Sequence, residues 1–350
     1  MPCLLIGMLV WHLSRRSTAS DSLDFNFYND HYRHMRFAWE ALRIGPRIYS
    51  VPLGAMAAIG EPRAYSWMES PYLYPPGAIL IFLPWAVLSY EGLISSRSAG
   101  YGLVFLFGTA AVVGGIRLWR CGVSRTSSSE GVVLWAVFAC SFLLHAIGWS
   151  LCAQYDAIVI LVLVVAASAR TPSRRVLWLG IALALKFQAL LFLPFVARET
   201  FLLVRSKRGA VVRDAPAMVG AALVALVLVN LAYLEARGAL APQHANPFHL
   251  AQWTSHRLTL LCIVFTMSLA LLAFVKGRWG ASFVMLWGFL AFASVALLQG
   301  WYILYLYPLA LFVDRRAAPW VVAWSLGLIY FLGWIPNFSR VMDQLLVLSS

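Results

Sequence analysis

Acidic residues are scarce in this chain: 14 aspartates and glutamates stand among 350 residues, against 27 lysines and arginines, and charged residues of both signs make up only 12%. With 61% hydrophobic residues and a mean hydropathy of +0.77, a soluble domain would have too little polar surface to cover itself, so the composition is that of an integral membrane protein. The sequence also lacks a zinc-type ligand cluster, a phosphate-cradling glycine loop, a G-x-S-x-G elbow and a dinucleotide fingerprint, which excludes the mechanisms those motifs carry in soluble enzymes. The five cysteines have neither metal-site nor disulfide-framework spacing and read as small hydrophobes. There is no internal repeat, no low-complexity tract beyond RTSSSE and no hydrophilic stretch long enough for a separate soluble domain, so one membrane domain over 1–350 is expected. The net charge of +13 does not call for a nucleic acid, because the basic residues fall in short clusters between apolar runs, as in loops held on the cytoplasmic side.

What is present is a series of apolar runs suited to helices, from 77–94 to 320–336. They predict an all-α, polytopic membrane helix bundle over 77–336, with about 9–12 membrane segments, some of them re-entrant. Residues 21–75 form a first extracytoplasmic loop with an interfacial helix, and the opening run Pro2 to Leu13, too short to cross a bilayer, reads as a short anchor or the mark of a late start. Basic clusters at 117–125, 170–175, 205–213, 276–278 and 315–316 belong on the cytoplasmic side, which leaves 149–156, 235–257 and 299–301 to meet on the outer side. The run 176–197 has basic clusters at both ends and cannot cross once, so it should be a broken hairpin with its apex near Lys186. Charge alone votes for a cytoplasmic first loop. Long loops translocate largely regardless of charge, however, and Pro75, Pro76 and Pro84 mark a broken or re-entrant segment after it.

Within NDHYRHMRFAWEALRIGPRIY, Asp30 is expected to open an amphipathic helix that Gly45 and Pro46 close. One stripe, Tyr32, Met35, Trp39 and Leu42, is apolar; the other, Arg33, Arg36, Glu40 and Arg43, is charged, so the helix should lie flat at a membrane surface. Asp30 is a candidate for chemistry and equally an N-cap; Asp156, at the start of another outer helix, is first of all an N-cap. Gln154 beside it offers a donor and an acceptor to a polar ligand. A lysine within a membrane segment costs about 2.5–3.5 kcal/mol on insertion scales, so Lys186 should face a cavity or a partner. Gln299, Trp301 and Tyr302 stand at an outer boundary, where an aromatic belt already explains the two aromatics. The loop with His244, Asn246, His249, Trp253 and His256 fits no metal spacing and reads as solvated.

Four tracts together resemble the GT-C superfamily of polyprenyl-phosphate-sugar-dependent glycosyltransferases, particularly the GPI mannosyltransferase I-like and related bacterial mannosyltransferases. They are DHYRHMRFAWEALRIGPRIY, YLYPPGAILIFLP, AQYD, and LALKFQALLFLP with QGWYILYLYP, in the family's order from Asp30 to Pro308. The resemblance implies a catalytic carboxylate at Asp30 and a second acidic position at Asp156. Many relatives carry another acid beside the first; this chain has His31 there and Asp24 well upstream, a weaker set for the divalent metal the family leaves room for.

The implied chemistry is a single inverting displacement at the extracytoplasmic face of a plasma (inner) membrane. The donor would be a polyprenyl-phosphate-linked hexose, mannose first, and the acceptor a glycolipid or glycan hydroxyl; membrane lipid is the other partner. Asp30 would take the hydroxyl proton, Lys186, Arg33 and Arg36 would face the phosphate, and Tyr72, Tyr74, Trp301 and Tyr302 would stack on sugar or ring the interface. Two rivals remain: a transporter or flippase of lipid-linked sugars, and a noncatalytic subunit of a glycosylation complex.

Overall fold

The computed structural model describes residues 21–56, 72, 74–151, 154–186, 189, 192, 195–196 and 304–312, with 21–30 described as backbone only. The expected positions Gln299, Trp301 and Tyr302, the loop 235–257 and the later apolar runs lie outside the described residues. Every described element is a helix: α1 (Asp21–Ile44), a 3₁₀ turn (Gly45–Tyr49), α2 (Leu53–Met56), α3 (Pro76–Tyr90), α4 (Ser96–Val123), α5 (Ser129–Leu151), α6 (Asp156–Ser168), α7 (Pro172–Leu185) and α8 (Leu306–Leu309).

Two of these, α4 and Ser129–Ser150 of α5, are long and apolar enough to cross a membrane. Ser95 caps α4 by accepting from the Ser98 N–H, and Phe105, Leu106, Val113, Ile116 and Trp119 remain exposed along α4, with Val133, Val137 and Leu144 along α5. An apolar outside over a packed inside is what a bilayer accepts and water does not. The helices α3, of 15 residues, and α6, of 13, are shorter. At about 1.5 Å per residue, neither spans the roughly 30 Å of hydrocarbon. Pro75 is extended, Pro76 opens α3, and the helix runs unbroken through Pro84.

The core runs through α3, α4, α5, α6 and the 304–312 segment, filled by Phe82, Phe107, Trp135, Phe138, Phe142 and Tyr307. Tyr307 is tied to α5 by its hydroxyl, 2.8 Å from both Ser141 Oγ and His145 Nδ1, and Arg125 donates to the Leu311 carbonyl. Gly77 brings the start of α3 against the last turn of α7. A Cβ there would collide with the Ala184 carbonyl.

Two sequence expectations change at α1. The helix begins at Asp21, so Asp30 lies inside it and does not cap it. The stop is as expected: Gly45 adopts φ +59, which only glycine accepts without strain, and Pro46 leads the 3₁₀ turn. The helix, however, does not lie amphipathically at a surface: Met35 of the apolar stripe is buried, and most of the charged stripe is buried with it. Arg33, Arg36 and Glu40 are buried while Leu42 is 58% exposed, so α1 packs its charged stripe into the protein against α3. Burial is tolerable because the charges are matched: Arg36 lies 2.7 Å from Glu40, donates to the Met56 carbonyl and sits over the Tyr90 ring at 5.5 Å. Periodicity located both stripes correctly, but which one meets protein depends on partners far along the chain.

Candidate active site

The centre of the site is an ion pair between the start of α6 and the end of α7. Lys186 Nζ donates to both carboxylate oxygens of Asp156, each at 2.8 Å, with the two side chains 1% and 0% exposed. Local structure explains the encounter. Asp156 occupies the first turn of α6, where the helix dipole favours a negative charge. Lys186 is where α7 stops: it is extended at φ −157, ψ 132, and its side chain turns to the carboxylate. The break expected at Lys186 is therefore present. The capping role expected for Asp156 is not: Tyr155 is the cap residue and makes no side-chain capping bond, and both Asp156 oxygens go to the lysine. Tyr155 instead donates its hydroxyl to the Leu185 carbonyl at 3.1 Å. The rings of Tyr155 and Tyr74 flank Lys186 Nζ at 5.0 and 5.7 Å. Gln154, two positions before Asp156, is buried as well.

The helix α1 supplies the other wall. His34 stacks on Phe82 at 4.5 Å and 10°, and meets Tyr74 at 4.9 Å, Tyr155 at 5.7 Å and Tyr72 at 6.0 Å. His31 is fully buried beside Phe107, 5.8 Å between centroids. Asp30 lies one helical turn before His34, at a register position on the same face of α1. Burial holds His31 down at about 3, and holds His34 well below its usual range, helped by the nearby positive charges of Arg33 and Lys186. Both imidazoles are neutral at physiological pH.

Of the expected residues, the structure brings together Asp156, Gln154, Lys186, Tyr74, His31 and Arg33, with Asp30 one turn from this cluster on α1. Lys186 is committed to Asp156 and Arg36 to Glu40. Sequence reasoning passed over His34, Tyr155, Phe82 and Phe107. The available signal was helical spacing: His34 stands four after Asp30 and three after His31. No group of three His, Cys, Asp or Glu able to hold a metal exists among the described residues. These side chains do not fit a divalent cation, because Asp156 is taken by Lys186 and the imidazoles sit among positive charges.

Apolar helices enclose a small set of paired polar groups. The model of glycosyltransferase family 87 matches residues 72–310, about two thirds of the chain. The chain belongs to glycosyltransferase family 87, which is of the GT-C type. The match takes in Tyr74, Gln154, Asp156 and Lys186 and begins after α1. No curated protein and no solved structure matches.

Proposed function

We propose that this chain transfers a hexose, mannose in the first instance, from a polyprenyl-phosphate donor to a hydroxyl of a glycolipid or glycan at the extracytoplasmic face. The acceptor hydroxyl gives its proton to Asp30 while its oxygen bonds to the anomeric carbon. The bond from that carbon to the phosphate oxygen breaks, its electron pair leaves with the phosphate, and the configuration inverts. Base assistance of this kind is worth about 10²–10⁴-fold. The observation that carries the reading is that α1, with Asp30 in its register, sets His34 against the Tyr74 and Tyr155 rings that flank Lys186 of the Asp156–Lys186 pair. Phosphate leaves without needing an acid, given hydrogen-bond donors and positive charge at its oxygens. Arg33 serves there directly, while Asp156 positions Lys186, and Tyr74 offers an aromatic face to sugar.

The test is transfer of labelled mannose from polyprenyl-phosphate-mannose in membranes carrying wild type or Asp30→Asn. A loss of about 10²–10⁴-fold in the variant is expected. Equal rates would remove Asp30 as the base. Translocation of labelled donor without a new glycosidic bond, in both proteins, would favour the flippase instead. A parallel assay with chelator decides whether a metal takes part.

A further inference from the structure

The displacement gives His34 no task. His34 is 4% exposed, and its Nδ1 is buried without a hydrogen bond. A buried ring nitrogen left without a hydrogen bond is costly, and such atoms in native folds call for a reason. Packing alone orients the ring, between the face of Phe82 and the edges of Tyr72 and Tyr155. Arg33 and Lys186 lie close enough to depress its basicity, so it stays neutral and keeps one N–H donor and one acceptor. The positive charge of Arg33 beside the ring favours an oxyanion over a cation.

Resting on the donor class given above, we propose that His34 is a phosphate ligand: its N–H donates to a phosphate oxygen of the lipid-linked donor, so that base and leaving-group ligand ride on one helix a single turn apart. That bond supplies the partner the buried imidazole lacks. It also makes α1 a unit, since a shift of the helix would move Asp30 and His34 together.

The experiment measures affinity of the full chain in lipid nanodiscs for polyprenyl phosphate, for neutral polyprenol of the same length and for inorganic phosphate. His34→Phe keeps the stack on Phe82 and removes the N–H. It should weaken polyprenyl phosphate binding roughly ten- to a hundredfold, the loss of one hydrogen bond to a charged group, and leave polyprenol unchanged. His34→Ala should show the same loss and recover on addition of free imidazole, which a purely structural role does not predict. Inorganic phosphate that competes at the wild-type site and loses affinity in the variants would make the headgroup alone the ligand; competition by polyprenyl phosphate only would make it the lipid-linked form. Unchanged polyprenyl phosphate affinity in both variants, or equal weakening of polyprenol, overturns the role of His34. Wild type that transfers sugar yet binds polyprenyl phosphate no better than polyprenol overturns the donor class, and the phosphate role with it.

Discussion

Among the described residues two ion pairs are buried, and they differ in reach. Arg36 and Glu40 are one helical turn apart on α1, 2.7 Å between charges, and the same arginine also holds the Met56 carbonyl and the Tyr90 ring. Asp156 and Lys186 are separated by a helix, a turn and a second helix, and meet at 2.8 Å with both carboxylate oxygens engaged. The first pair neutralises a surface so that α1 can dock. The second fixes where one helix begins against where another ends, and so sets the shape of the site. A local pair is a property of a helix; a distant pair is a property of the fold.

That difference predicts an order of effects. Asp156→Asn leaves Lys186 buried without its counter-charge and should cost about 3–5 kcal/mol, read as a large fall in the melting temperature of purified protein in detergent. The double variant Asp156→Asn, Lys186→Met should recover most of it, because no bare charge is left. Equal melting of the single and double variants would break the claim that the pair sets the geometry. Next comes Gly77→Ala, whose methyl collides with the Ala184 carbonyl two positions before Lys186. A cost of about 1–3 kcal/mol is expected, with a larger proportional loss of transferase activity than Gly102→Ala, which meets only the Trp85 ring, would give. Glu40→Gln should cost less than Asp156→Asn, about 1–3 kcal/mol, because the Arg36 guanidinium keeps the Met56 carbonyl and the Tyr90 face.

A smaller effect tests the neutral lining of α1. The native pKa of His31 is about 3, below the usual value near 6.5. Between those values the unfolded chain takes up a proton that the native one refuses. Stability from this group is therefore complete above about pH 6.5 and falls as pH drops toward 3, by about 1.4 kcal/mol per unit. His34, also depressed, adds a loss of the same sign. His31→Phe should flatten the acid limb of a melting-temperature profile by one proton, and an unchanged slope would show that His31 is protonated in the folded protein. Gly45→Ala should matter least, about 1–2 kcal/mol for a non-glycine residue at φ +59, with activity retained.

Composition and periodicity alone determined that the chain is helical and membrane-embedded, because burying so much apolar surface leaves no soluble alternative. They also placed the end of α1 at Gly45 and the end of α7 at Lys186, since a Gly-Pro stop and basic clusters at both ends of one apolar run can be read along the chain. Asp156 and Lys186 were both legible as candidates, but not as partners. Their attraction acts through space, across 30 residues that carry no mark of it. For the same reason the burial of Arg33, Arg36 and Glu40 on α1 was missed: a stripe of arginines looks solvated until Glu40, Met56 and Tyr90 are seen around Arg36. His34 escaped notice because a histidine in a helix has no signature by itself. Only packing, which stacked it on Phe82 among Tyr72, Tyr74 and Tyr155, brought it into the site.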